Sequence, residues 1–217
     1  MYADLSCPFS YVVHAHWRQL RQHYVRQIEI RHKSLALEYV NSAPTPKTTL
    51  EAELPILLND EPGIPCAPWS APASEWPVTI WPAFEAVKCA ELQGVALASE
   101  MAWAIRKAFF SGSRCISMRH VLLDLAGRAG LEAERFEADL DSGVCKPRVI
   151  AEAREGWERL RVPGSPTWVL PDGSFVSDFG LPEIDVDDQG RATLHGKPGD
   201  PAAQRTARMG TILDGLL

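Results

Sequence analysis

Residues 82 to about 161 carry almost only helical signals, while both flanks carry strand signals. That order restricts the chain to a small α/β sheet interrupted by a helical block. Trp81-Pro82 opens a helix to about Gln93, stopped by Gly94, and a second runs from about Ala96 to Phe110. Ser117 is placed to cap a third, with Val121, Leu122 and Leu125 on its buried face and Gly130 at its end. A short helix over Glu132–Leu140 and one over Lys146–Leu160, with Pro147 in its first turn, complete the block.

The N-terminal flank reads strand, helix, strand. Met1 to about Ala3 is the only room for a first strand. Val13, Trp17, Leu20 and Tyr24 fall on one face of a helix over Pro8–Tyr24, where Pro8 suits the first turn because its missing N–H costs nothing there. The alternating Ile28-Glu29-Ile30-Arg31-His32 predicts the second strand. At the C-terminal flank, Thr167–Leu170 and Ser174–Val176 flank a Pro171-Asp172-Gly173 turn and predict a hairpin. Ile184–Val186 and Ala192–Leu194 predict another, around Asp187-Asp188-Gln189-Gly190, with Asp185 to Asp188 a solvated turn. Asp200-Pro201 is positioned to cap a closing helix carrying Met209, Ile212, Leu213 and Leu216.

Between Pro44 and Pro82 the chain is irregular. A short helix around Thr49–Leu58 is compatible with the sequence, and then repeated prolines forbid regular structure over most of the stretch. A loop that long is either functional or wraps the domain; wrapping is the simpler expectation. Trp69, Trp76 and Trp81 within and beside it are expected to pack as core or lid, with flooring a pocket the alternative.

A chain of 217 residues builds its core without disulfides or metals. The net charge of −6 leaves no basic excess to neutralise phosphates, so nucleic acid is not an expected partner. No apolar run approaches the roughly 18–20 residues a membrane span needs, and no secretory signal follows Met1. Cys7, Cys66, Cys89, Cys115 and Cys145 are odd in number and scattered, which suits a reducing compartment. A cytoplasmic location, five unbridged thiols and no metal site are expected, and all but Cys7 read as packing residues.

Chemistry concentrates in two segments. Asp4-Leu5-Ser6-Cys7-Pro8-Phe9-Ser10-Tyr11 puts a cysteine at the join of a strand and a helix N-terminus. Free N–H groups and the positive end of the helix dipole favour a thiolate there, and such cysteines have pKa values lowered to roughly 3.5–7.5. Val162-Pro163-Gly164-Ser165-Pro166-Thr167 leads into the strand that opens the second half. Only proline makes a cis peptide accessible, so Ser165-Pro166 is expected to be cis, beside Cys7, with the Ser165 backbone facing the thiol.

These two segments resemble the DsbA-like thioredoxin family, in the cytosolic branch that includes FrnE-like oxidoreductases and 2-hydroxychromene-2-carboxylate isomerases. Ala108-Phe109-Phe110 and the Val121-Leu122 helix are similar to the middle of that family's helical insertion. The resemblance implies an α/β thioredoxin-like fold with an all-helical insertion between its βαβ and ββα halves. Residues 1–38 and 162–217 would form the thioredoxin-like domain, and 39–161 the Pro-rich loop and insertion. It implies thiol–disulfide oxidoreductase or isomerase activity with Cys7 as nucleophile. Ser10 would stabilise the thiolate, Pro8, Phe9, Ser165 and Pro166 would contact the substrate, and Thr167 would add a hydrogen bond.

Two departures shape the expectation. Dithiol relatives carry a second cysteine where this chain has Ser10, so only monothiol chemistry remains for that pair. The first strand is also short, so it is either stunted or preceded by further chain; a stunted strand predicts self-association, such as a homodimer, to cover apolar surface. The expected substrate is a disulfide or a thiol conjugate, with a low-molecular-weight thiol as co-substrate and no tightly bound cofactor. The alternatives are a thiol-cofactor-dependent small-molecule isomerase or transferase, and a binding module without turnover. His14 and His16 lie on different helix faces, which disfavours a metal pair, and His14 is expected at the surface.

Overall fold

The computed structural model describes residues 1–24, 26–187, 189–196 and 198–217. Strand β1 (Tyr2–Ala3) pairs in parallel with β2 (Lys33–Ser34), and β3 (Trp168–Val169) pairs antiparallel with β4 (Phe175–Val176). A bridge joins the pairs: Tyr2 N–H donates to the Thr167 carbonyl at 2.8 Å, and Thr167 N–H donates back at 2.9 Å. The strands therefore run β2, β1, β3, β4. That is the thioredoxin-like α/β arrangement, carrying the helical segment between its halves.

Helix α1 (Pro8–Tyr24) has the bounds its periodicity predicts. It is buried on more than one side. Tyr11, Val12 and Ala15 enter one hydrophobic core, and Val13, Trp17 and Tyr24 enter another with Met1, Trp168, Phe179 and Met209. The first core continues through the insertion: α2 (Leu37–Asn41), α3 (Lys47–Leu58), α4 (Trp81–Glu91), α5 (Val95–Gly112), α6 (Arg119–Arg128), α7 (Ala133–Ser142) and α8 (Lys146–Arg154). A π-helical turn, Glu155–Leu160, extends α8 and lays Gly156 against Tyr2 and Leu35. The hairpin β5 (Glu183–Val186) and β6 (Ala192–His195) rests on α3, and α9 (Ala202–Asp214) packs on α1. Among the described residues, no helix is long and apolar enough to cross a membrane.

Three local expectations are corrected. Ile28–His32 is not a strand: pairing starts at Lys33, whose N–H donates to the Met1 carbonyl, while Ile28 and Ile30 pack half-buried against the second core. The alternation reports that packing, not a ladder. Ser117 does not cap α6, because its hydroxyl donates to the Thr79 carbonyl and ties down the end of the Pro-rich loop. Asp200 does not cap α9; its carboxylate accepts from Arg208, and Pro201 leads into the helix. In the expected solvated turn, Asp185 and Asp187 are exposed, and Asp188 lies outside the described residues.

Candidate active site

Cys7 sits immediately before α1, and its Sγ–H donates to the Ser165 carbonyl at 3.3 Å. The Ser165–Pro166 peptide is cis. One turn into α1, the hydroxyls of Ser10 and Ser165 share a hydrogen bond of 2.8 Å, and the Ser165 oxygen also accepts from Asp4 N–H at 2.8 Å. The two segments singled out in the sequence thus meet across 158 residues of chain. A groove of about 360 Å³ runs beside them, walled by Phe9, Ser165, Pro166, Phe179, Leu181 and Glu183.

Two residues expected to contact substrate lie off this groove. Thr167 is buried and directs its hydroxyl to the Gly164 carbonyl at 2.6 Å, away from the groove. Pro8 is buried in the first turn of α1 and is not among the groove walls.

The electrostatics of the sulfur differ from the helix-terminus expectation. Cys7 is only 4% exposed, and burial pushes its thiol pKa up. The Ser10 N–H and the hydroxyls of Ser165 and Ser10 oppose that rise, and the Asp4 carboxylate adds to it. Asp4 is itself buried; burial raises its pKa against the donors Leu37 N–H, Ser6 O–H and Ser6 N–H. The free N–H groups at the start of α1 therefore offset desolvation here rather than overcome it.

Behind the sulfur lies a buried polar chain that local sequence reading misses. Arg106 of α5 donates through Nη2 to the Asp4 carbonyl at 3.1 Å, and its Nη1 faces His14 Nδ1 at 3.2 Å. His14 Nε2 meets Ser99 Oγ at 3.5 Å, and Ser99 Oγ meets His32 Nε2 at 3.3 Å. The His32 carbonyl accepts from Lys88, which is also held by Glu91 and Glu152. His14 is thus fully buried, not at the surface. Burial, His32 and Arg106 hold His14 far below the usual imidazole range, so it is neutral at pH 7. An arginine only donates, so His14 Nδ1 accepts and Nε2 carries the proton. His16 turns elsewhere: its Nε2 lies 2.8 Å from Glu61 Oε1 and its Nδ1 2.8 Å from Thr206 Oγ1.

The five cysteines are free. Cys89 and Cys145 are both buried, and burial pushes both thiols up. Cys66, expected to pack inside, is exposed instead. It edges an apolar cavity of about 510 Å³ walled by Leu54, Leu58, Trp69, Trp76 and Phe109. Trp69 and Trp76 therefore line this pocket, while Trp81 packs beside Tyr39 and Phe84 and borders a separate cavity with Tyr39, Val149 and Ile150.

The model of the family described as DSBA-like thioredoxin domain matches residues 1–187. Two solved structures are similar over nearly their whole lengths. A candidate protein disulfide isomerase from Nitrosomonas europaea is 16% identical, with a TM-score of 0.61 over 99% of this chain and 96% of that one. The cytosolic disulfide reductase DsbM from Pseudomonas aeruginosa is 20% identical, with a TM-score of 0.53 over 98% and 97%. At such identities both likenesses establish the fold alone, whereas the family model spans the strand–helix–strand opening, the insertion and the cis-proline segment together. The chain belongs to the DSBA-like thioredoxin family.

Proposed function

We propose that this protein carries out thiol–disulfide exchange through Cys7 as a single reactive thiol. The observation that supports this reading most directly is the Cys7 sulfur, 3.3 Å from the Ser165 carbonyl, with a hydroxyl at position 10 one turn along. The Cys7 proton leaves to solvent, and the thiolate attacks one sulfur of a substrate disulfide. A new bond forms between Cys7 and that sulfur, the substrate S–S bond breaks, and the other sulfur leaves as a thiolate. Ser10 cannot attack the mixed disulfide, so a low-molecular-weight thiol releases Cys7 and becomes joined to the first substrate sulfur. Phe9, Ser165 and Pro166 line the groove that receives the substrate. Five free thiols suit a reducing cytoplasm as the place of work.

The test follows adduct mass over time in wild type, Ser10→Cys and Cys7→Ser after addition of a disulfide probe. Wild type is expected to stop at the mixed disulfide until thiol is added. Ser10→Cys is expected to release the probe unaided and gain a disulfide between positions 7 and 10, and Cys7→Ser to form no adduct at this position. Turnover by wild type without added thiol would mean that another cysteine resolves the adduct. Absence of any Cys7 adduct would end the exchange reading.

A further inference from the structure

The groove beside Cys7 carries one sign of charge. Phe9, Pro166, Phe179 and Leu181 give it apolar sides, and the ionisable side chains along it are two carboxylates, Asp178 and Glu183. No lysine, arginine or histidine is among the described residues that line it. The two carboxylates are not equivalent. Asp178 is answered: its Oδ1 accepts from Gly180 N–H at 2.9 Å, and its Oδ2 lies 3.1 Å from Arg208 Nη1. Glu183, the first residue of β5, is exposed, and among the described residues its side chain forms no hydrogen bond or ion pair. His195 stands opposite it in the ladder but turns its Nδ1 towards Asp185, 3.4 Å away. Gly196, left-handed at φ 70°, brings no side chain over the carboxylate, whose Oε2 lies 3.0 Å from where a Cβ would stand.

A cleft lined by one sign of charge, with apolar walls of low dielectric, focuses that charge on whatever enters it. Here the cleft also holds Ser165 and Pro166, and the Ser165 carbonyl is 3.3 Å from the Cys7 sulfur. The groups flanking a disulfide under attack by Cys7 therefore lie along the groove that Glu183 borders. We propose that Glu183 is a specificity-determining residue that selects cationic disulfides, whose ammonium or guanidinium groups flank the reacting sulfur, over carboxylate-bearing ones. This deepens the exchange reading and rests on it. The net charge of −6 attracts cations to the whole surface, and Glu183 adds a local contribution at the groove itself. The exchange step keeps its balance: the Cys7 thiolate bonds to one substrate sulfur, the S–S bond breaks, and the other sulfur leaves as a thiolate.

The test measures, by mass, how fast Cys7 forms a mixed disulfide with probes of similar size and different charge. These are cystamine, the neutral bis(hydroxyethyl) disulfide and the anionic dithiodipropionate. A longer pair, bis(aminobutyl) and bis(hydroxybutyl) disulfide, carries the charge further along the groove. The rate of each charged probe is divided by that of its neutral counterpart, which cancels any change in the Cys7 thiol itself. The proteins are wild type, Glu183→Gln, Glu183→Lys and Glu134→Gln, the last removing an exposed carboxylate of α7 outside the groove. At low salt the cationic ratio is expected to fall about threefold in Glu183→Gln and about tenfold in Glu183→Lys, and the anionic ratio to rise by similar factors. These differences should collapse near about 1 M salt, where the Debye length is about 3 Å. Glu134→Gln should keep the wild-type ratios. Ratios that ignore Glu183 at both probe lengths would overturn the proposal, and so would ratios that move as far in Glu134→Gln, since net charge alone would then select. If no probe forms an adduct with Cys7, the exchange reading falls and this one falls with it. Adducts that form at ratios indifferent to Glu183 defeat this one alone.

Discussion

The hydroxyl of Ser165 stands between two partners, 2.8 Å from Ser10 Oγ and 2.8 Å from the backbone nitrogen of Asp4. It ties the strand entering the second half to both ends of the Asp4–Ser10 turn. Ser165→Ala removes the acceptor for the N–H of the buried Asp4. Leaving a buried donor unsatisfied costs about 1–3 kcal/mol, which a denaturant titration will read as a lowered midpoint at unchanged slope. The same change removes one group that opposes the rise in the Cys7 pKa. Alkylation of Cys7 at neutral pH should therefore slow as well.

Glu61 lies on the Pro-rich loop, yet it is 5% exposed and joins α1 to α9. His16 Nε2 is 2.8 Å and Arg205 Nε 3.2 Å from the same carboxylate oxygen. Glu61→Ala leaves the buried Arg205 cation without its carboxylate. A loss of about 3–5 kcal/mol is expected, as for other buried pairs broken from one side. A loss under about 1 kcal/mol by urea unfolding, the range of an exposed pair, would show that water reaches Arg205 and that the loop is not anchored there.

Lys88 is 1% exposed and sits 2.7 Å from Glu91 and 2.9 Å from Glu152. Burial works against both carboxylates, but Lys88 and Arg148 at Glu91, and Lys88, the Ser34 N–H and Lys33 at Glu152, outweigh it and hold them below the ordinary glutamate value. Carboxylates lowered on folding add stability that is present above their unfolded pKa, about 4.3, and is lost as pH falls through the folded value. Wild type should therefore lose stability steeply below about pH 4.5. Lys88→Met should be less stable at about pH 7 by about 3–5 kcal/mol and show a shallower acid slope. An acid slope identical to wild type would remove Lys88 as its cause.

At Gly156, an added Cβ would come within 2.6 Å of Leu35 Cδ1 and 2.9 Å of Tyr2 Cδ1. Both neighbours belong to one buried cluster beside β1, so neither yields easily. Gly156→Ala should cost about 1–3 kcal/mol by overpacking, against the usual gain of alanine over glycine in a helix. A stabilised variant would show that the π-helical turn relaxes into an α-turn.

The helices were largely legible because their apolar periods and Gly or Pro stops are local, as at Pro8–Tyr24 and at Gly94. The Cys7–Ser165 meeting was legible as well, since each half carries its own short proline signal. The Arg106 site was not, because residues 4, 14, 32, 99 and 106 meet only in the folded chain and no local spacing relates one to another. His14 shows why. A period search finds the face of α1 that carries Val13 and Trp17, and assigns the remainder to solvent. Here the remainder packs against α5 and becomes the polar interior. Ile28–His32 failed in the opposite direction, because alternation records which side chains are half-buried and not which backbone groups pair.

Helix α1 carries one further consequence. From Pro8 to Trp17 every residue except Phe9 is buried, and the helix has a hydrophobic core on either side. A segment enclosed in this way has no neutral positions along that stretch: each substitution is felt by one core or the other, and each distorts the turn that aims Cys7. Variation that retunes the sulfur without unmaking the protein has to act from opposite, at Ser165, or along the Leu181–Glu183 rim of the groove. Evolutionary drift in this chain should therefore gather on the far bank, with α1 as the fixed datum against which reactivity is adjusted.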